Sequence, residues 1–534
     1  MPRVAIAPPL ARRAARAAAV LPWSPALIGA AYLILFIVRL PRLIEHVYWD
    51  SDAASAAVIA ETFGHGGTVV LERFGWFTGL WFALLTKPLP LHRQVWEVAP
   101  YVFSLLSVAL LVWASWRLAG RWAATMTATA AVATSPFVSY DLVTLNFHTA
   151  TWVATVVLAA FCLWLTDEPS GSRLAFVAVL VTLLAGTTVA SDLLFAFVGL
   201  IPFALTGLLL ASLPRFRRAG VVVLASVVLA SVIGWVTNWG MRHANVEVFS
   251  VPTRFAADKD LWPNFGRLLS GIVQLVNGDY FFDSQLTART ALSFACALLV
   301  LIALAAPFVL VRRQLSPAGR SVPVFVYSSF WAACVTFNCA SFVLSSEGTH
   351  GGYYLFPILY ATAATVPLVL AGSGFGRLVA SFGIAVVATT SLVNLADTGT
   401  SLSRPRPPVA AVADRIVQIA DKEGARYGYA DYWDASSLTW STHMAVRVAP
   451  VVQCELPKTD ICTFWFNLNT NWYRPHPNTN TFVLRDAQSN DMRQELPDTF
   501  GAPYATYRLS DVITLYLYSY DVASRFVGAA SRTG

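Results

Sequence analysis

The run SPALIGAAYLILFIVRL at residues 24–40, followed after a short gap by VYWDSDAA at 47–54, decides how this chain is read. The first stretch is apolar enough and long enough to cross the hydrocarbon core of a bilayer. The second sets two carboxylates, Asp50 and Asp52, where the chain leaves that core. A carboxylate beside a membrane is costly to desolvate unless something uses it.

Working outward, ten more apolar runs of similar length follow, at 99–116, 122–138, 150–166, 174–191, 193–213, 220–238, 291–311, 322–344, 353–372 and 378–396. Of the 534 residues 56% are hydrophobic and 13% charged, where a soluble domain carries about 25% charge. The expected fold class is therefore a polytopic α-helical membrane protein with about eleven transmembrane helices. The formal net charge of +7 does not point to nucleic acid, because the arginines cluster between apolar runs, where they mark the cytoplasmic face. Arg3, Arg12, Arg13 and Arg16 precede the first run, which lacks a convincing cleavage site and reads as a retained helix rather than a signal peptide. With the N-terminus cytoplasmic, the same side collects Arg117, Arg121, Arg173, Arg215, Arg217, Arg218, Arg312, Arg313, Arg320 and Arg377. The short connections at 139–149, 192 and 345–352 hold no Lys or Arg.

That orientation sends four features to the extracytoplasmic face: the long first loop 41–98, the connection SYDLVTLNFHT at 139–149, the segment 239–290, and everything after residue 397. Within the first loop, 53–63 predicts a short amphipathic helix and the aromatic stretch 74–85 a segment lying in the interface. Pro405, Pro407 and Pro408 make a linker, beyond which the composition is that of a soluble domain. Helical periodicity at 409–423 and strand patterns at 426–430, 446–452, 481–484 and 513–518 predict a small extracytoplasmic α/β domain. The chain thus divides into a transmembrane domain, residues 1–397, and an outer domain, residues 398–534. The outer domain has no phosphate loop, nucleophile elbow or HExxH helix. Cys454 and Cys462 lie close together within it and are expected to form a disulfide outside the cytoplasm. Cys162, Cys296, Cys334 and Cys339 sit in apolar runs as ordinary packing.

Polar residues sort by face. Asp50, Asp52, Glu61, His65, Asp141, Asn146, His148, Asp192, Glu347 and His350 fall at outer helix ends, whereas the cytoplasmic ends offer mostly Arg. Asp50 or Asp52 either caps the helix starting near Ala53, takes a proton from an acceptor hydroxyl, or shares a divalent cation with its neighbour, with His148 a further possible ligand. His148 with Asn146 and Asp141 forms either a structural turn or a substrate rim. Asp192 is either a helix cap or a sugar or metal contact, and Glu347 and His350 belong either to a glycine turn or to the site. An anionic lipid donor needs cations at the outer interface, and Lys87, Arg93, Arg73, Arg242 and His243 are the candidates, each with snorkelling at the headgroups as the alternative.

The text WDSDAASAAVIAETFGHGG at 49–67, followed by Lys87-Pro88 and by EVAPYVFSLLSVALL at 97–111, resembles the GT-C glycosyltransferases, nearest to their protein mannosyltransferase and lipid A aminoarabinose transferase branch. The stretch from Gly352 through Tyr353 to Pro357 is similar to the aromatic entry to a late helix in the same group. That resemblance implies transfer of a sugar from a polyprenyl-phosphate carrier to a lipid, glycan or protein acceptor on the outer face of a bacterial inner membrane. An aspartate of the first outer loop would be the general base, with no certain cofactor beyond a possible divalent metal ion. The pair here is Asp-Ser-Asp where the family has Asp-Glu, and counting forward to the glycines favours Asp52 over Asp50. Lys-Pro-Leu stands where the family has Lys-Pro-Pro, which weakens a phosphate role for Lys87. The motif YGYADYW at 427–433 stands out, and its residues assign it no chemistry. The rival from another class is a transporter or flippase of lipid-linked sugars, which would show inverted repeats and polar groups at mid-membrane; a non-enzymatic scaffold acting through the outer domain is a third reading.

Overall fold

The computed structural model describes residues 23–526 apart from 47–48, 63–65, 73–86, 89–91, 136–137, 140–141, 143, 146–147, 245, 250–253, 280–286, 317–320, 347–351, 398–407, 455–460, 490–491 and 493–498. The chain starts with the apolar helix α1 (Ser24–His46), the short helix α2 (Ser51–Thr62) and the strand β1 (Val69–Glu72), and then enters α3 (His92–Val132). At 41 residues, α3 would extend about 60 Å if straight, twice the roughly 30 Å of a hydrocarbon core. It is not straight. Gly120 sits at φ 80°, ψ −174°, and Thr127 donates a hydrogen bond to Ser115 at 2.8 Å, although residues twelve apart on one helix are about 18 Å apart. The two halves therefore fold back as a helical hairpin with Arg117 and Arg121 at its turn. A Cβ at Gly120 would meet nothing within 4 Å, so it is the positive φ, not space, that requires glycine there.

The chain continues through α4 (Thr149–Leu165), α5 (Gly171–Ser191), α6 (Ile201–Ser212), α7 (Arg217–His243), the strand β2 (Val246–Phe249), α8 (Asp258–Gln274), α9 (Ala288–Ala303), α10 (Ala306–Gln314), α11 (Val322–Leu344), α12 (Phe356–Leu370) and α13 (Gly374–Asp397). Among the described residues seven helices are long and apolar enough to cross a membrane, and three shorter apolar helices coincide with the runs predicted at 24–40, 150–166 and 193–213. Large apolar side chains point outward from the bundle, among them Ile34, Phe176, Trp235 and Phe382, as lipid rather than water demands. The chain is an integral membrane protein. Its interior is packed with aromatics, Trp152, Phe203, Trp331 and Phe356 included. Buried amides are spent on each other rather than on a path: Asn394 donates to Asn277 at 2.7 Å and Asn277 to Ser391 at 3.1 Å.

Beyond the bundle come α14 (Pro408–Glu423), β3 (Tyr427–Ala430), α15 (Tyr432–Ser441), β4 (Arg447–Gln453), β5 (Ile461–Thr463), β6 (Leu468–Asn469), β7 (Thr481–Asp486), β8 (Ala505–Arg508) and β9 (Ile513–Tyr518). Six of these strands form a sheet in the order β5-β4-β3-β7-β9-β8. β3 pairs in parallel with β4 and β7, while β5, β8 and β9 run antiparallel to their neighbours. Four of these strands, β3, β4, β7 and β9, are legible in sequence; β5 and β6 carry too few residues for an alternation to show, and β8, as long as β3, was not read.

Two features tie this sheet unit to the membrane bundle. The first is a small sheet of order β2-β1-β6, in which β1 of the first loop pairs in parallel with β2 and antiparallel with β6. The second is α2. The amphipathic helix expected at 53–63 is instead buried on almost every side, from Ala53 to Ala60, because α15 covers the face that was expected to meet solvent. Small side chains, five alanines and two serines among them, allow that close approach. Helix ends meet beneath: Trp96 and Ala99 of α3, Leu145, Ala190 of α5 and Met241 of α7 share one apolar cluster with Trp49, Ala53 and Ile59 and with Tyr429 and Trp440 of the sheet unit.

Gly67 sits where the loop meets the sheet unit, at φ +83°, and a Cβ there would lie 2.4 Å from Asn469 Oδ1. Gly67→Ala should lower stability by about 1–3 kcal/mol and loosen the docked unit. A lower thermal midpoint is the expected readout, and an unchanged midpoint would contradict this packing.

Candidate functional site

Asp50 is the helix cap. Its Oδ1 accepts from the Ala53 amide at 2.9 Å, and its carbonyl accepts from Ala54, which satisfies donors that a helix start leaves over. Asp52, two positions on and still in the first turn, is engaged differently: its Oδ1 accepts from the phenol of Tyr432. Between them Ser51 donates to the Trp433 carbonyl at 2.9 Å and accepts from the Ser437 amide at 3.2 Å. Trp49 packs on Trp440 with centroids 5.5 Å apart. The first outer loop therefore reads directly onto α15. At the other end of α2, Lys87 donates to the carbonyls of Ala60 at 2.9 Å and Glu61 at 3.3 Å, a cation against the negative end of the helix dipole.

The second cluster is His148 with Asp192. Both are 1% exposed, at the start of α4 and the end of α5, and His148 Nδ1 lies 2.6 Å from Asp192 Oδ2. That oxygen also accepts from Thr151 at 2.5 Å, and Oδ1 accepts from the Leu194 amide at 2.9 Å. A carboxylate with these donors sets the orientation of the imidazole. Tyr354 and Tyr353 pack together against one side of the ring, at 4.7 and 5.7 Å between centroids. The pair borders a cavity of about 370 Å³ whose apolar wall is chiefly Leu and Phe, with Arg254, Asn338, Ser341, Ser345 and Tyr354 as its other polar residues. Asn338 donates to the Tyr354 carbonyl at 3.0 Å, which locks the wall. Leu145 and Ala190, which precede His148 and Asp192, join the cluster around α2, so one apolar body supports both polar centres.

Of the residues singled out from sequence, His148, Asp192 and Tyr353 come together, and Asp50, Asp52 and Lys87 group around α2. Asp141, Asn146, Glu347 and His350 lie outside the described residues, as do Arg73 and the aromatic stretch 74–85. Arg93 falls in the first turn of α3, and its side chain is likewise outside them. Arg242 and His243 end α7, where His243 Nδ1 bonds the Trp239 carbonyl at 2.8 Å. Cys454 and Cys462 form a disulfide. Among the described residues no three His, Cys, Asp or Glu side chains form a group able to hold a metal ion. Sequence reasoning missed Arg254 and Asn338, and left Tyr432, inside the motif at 427–433, without a role. A lone amide inside the run 322–344 was a usable signal for Asn338, and the Arg-Phe pair opening an amphipathic helix was one for Arg254.

Comparisons with known proteins place the fold. No protein-family model matches the chain, and no curated protein does. Among solved structures, ArnT from Cupriavidus metallidurans bound to undecaprenyl phosphate aligns at TM-score 0.55 and 14% identity, covering 92% of this chain and 97% of that one. The same protein in its apo state aligns at TM-score 0.40, 13% identity, 92% and 98% coverage. An oligosaccharyltransferase from Archaeoglobus fulgidus in the apo form aligns at TM-score 0.46 and 13% identity, covering 88% and 70%. The first of these establishes a shared fold over nearly the whole chain, the fold implied by the GT-C resemblance.

Helix α15 of the sheet unit holds a further buried acid, Asp434, beside Asp431 and Asp486. Burial, then the neighbouring carboxyls of Asp431 and Asp486, pushes the Asp434 carboxyl up to about 9, while Asp431 caps α15 by accepting from the Asp434 amide at 3.1 Å. A raised carboxyl keeps in the folded state a proton that the unfolded chain releases near pH 4. The associated stability is full below about pH 4 and is lost as pH rises toward about 9. Asp434→Asn should flatten that slope in thermal midpoints measured from pH 5 to 9, and an unchanged slope would contradict the assignment.

Proposed function

We propose that this protein is a membrane glycosyltransferase that transfers a sugar from a polyprenyl-phosphate carrier to an acceptor hydroxyl, with Asp52 as general base. The observation that carries the proposal is the cavity bordered by His148, Asp192 and Arg254 at the end of the bundle where α2 lies. A long prenyl chain suits a wall of Leu and Phe open to lipid, and Arg254 brings a guanidinium matched to the lipid phosphate. Support for the carrier class also comes from ArnT, whose matched structure is bound to undecaprenyl phosphate.

Asp52 takes the proton of the acceptor hydroxyl as its oxygen bonds to the anomeric carbon. The bond from that carbon to the phosphate oxygen breaks, and the polyprenyl phosphate leaves with both electrons. Arg254 stabilises the charge that develops on it. Asp50 is assigned to structure, because its carboxylate holds the start of α2. His148 and Asp192 are assigned to sugar contacts beside the anomeric centre. In this reading residues 1–397 form the membrane unit and 398–534 an extracytoplasmic unit. The arginine-rich ends, joined by the Arg117–Asp167 and Arg215–Glu168 pairs, face the cytoplasm.

Purified protein incubated with a panel of polyprenyl-phosphate sugars should release polyprenyl phosphate with one of them. Asp52→Asn should lower that rate by at least about a hundredfold, the scale of a lost general base, with expression and thermal midpoint retained. Arg254→Ala should raise KM for the donor about tenfold, as expected for a lost charged hydrogen bond. Full activity in Asp52→Asn would overturn the mechanism.

A further inference from the structure

We propose that Tyr432, carried by the outer unit, is a positioning residue for Asp52, so that the sheet unit completes a site whose base belongs to the membrane unit. The proposal rests on Asp52 being the base. It gives a task to the motif at 427–433, which sequence alone left without one.

Tyr432 opens α15 directly after the cap residue Asp431, so the helix start fixes its backbone. Its ring is 6% exposed and is boxed edge-on by Trp433, Phe464 and Phe466, with centroids 5.3, 5.7 and 5.0 Å away. Asn467, in a left-handed conformation at φ 48°, donates Nδ2–H to the phenol oxygen at 3.1 Å. A phenol has one proton. With Asn467 acting as donor, that proton goes to Asp52 Oδ1. The bond is charge-assisted when Asp52 is ionised, and pinning one carboxylate oxygen sets the direction of the other. A general base works only within hydrogen-bond reach of the proton it takes, so direction is rate. Other ionisable groups on the elements around α2 are Asp431 and Asp434 of α15, Asp50 and Glu61 at its two ends, and Lys87 against its last turn.

The test uses the full-length protein in detergent. Tyr432→Phe keeps the ring and its aromatic box and removes only the hydroxyl. Its kcat should fall about tenfold with KM for the donor within about twofold, the pattern of an interaction used in the transition state rather than in binding. Independently of turnover, isotope-edited infrared titration of the Asp52 carboxyl, identified by its loss in Asp52→Asn, should move up by about one pH unit, because a bond to the ionised form is gone. Asn467→Leu should shift the same signal in the same direction, and it serves if the Phe variant folds poorly. An unmoved titration, or a KM rise with kcat unchanged, would overturn the positioning role. Transfer that survives in Asp52→Asn while Tyr432→Phe still moves the titration would sink the proposed function and leave the contact standing.

Discussion

Burial of α2 on almost all sides is the constraint on which the rest depends. An Ala- and Ser-rich helix has little to gain from burying one stripe, and it stays folded here because the bundle closes it below and α15 closes it above. That position forces each polar group on it to find a partner. Asp50 takes the helix start, Ser51 the α15 backbone, Asp52 the Tyr432 phenol, and Lys87 the last carbonyls. Because buried polar groups are costly when unpaired, the docking of the sheet unit is specified by these bonds as much as by the apolar cluster around Trp49 and Trp440.

The same arrangement gives the two carboxylates of the first loop different partners. Two aspartates two positions apart, alike in sequence, meet different surroundings, one pointing back to its own helix and one across to another unit. The cavity repeats the pattern with Asp192, whose oxygens accept from His148, Thr151 and the Leu194 amide. Both centres rest on one apolar cluster, so a displacement of the sheet unit would disturb Asp52 first and the cavity second.

Much of the bundle was legible because lipid imposes a simple rule: long apolar runs, with arginine clustered between them. The hairpin at Gly120 was legible too, as two runs separated by a short basic gap. The burial of α2 was not, because periodicity reports which face of a helix is polar and cannot report a second surface arriving from nearly four hundred residues away. His148 and Asp192 were chosen by side of the membrane, and the packing of α4 against α5 then brought them together. Arg254 escaped, and the partner of Tyr432 with it, for a different reason: an arginine beside the interface and a phenol among aromatics are ordinary in isolation, and the Tyr432–Asp52 contact joins residues far apart in sequence. The short strands β5 and β6 are too brief for any pattern.

The most direct test is a cryo-electron microscopy map of the protein prepared with undecaprenyl phosphate. The account predicts a prenyl tail lying along the Leu and Phe wall of the cavity, with the phosphate against Arg254 and facing the end of α2 that carries Asp52. A lipid bound elsewhere on the bundle, with this cavity filled by protein side chains, would contradict it.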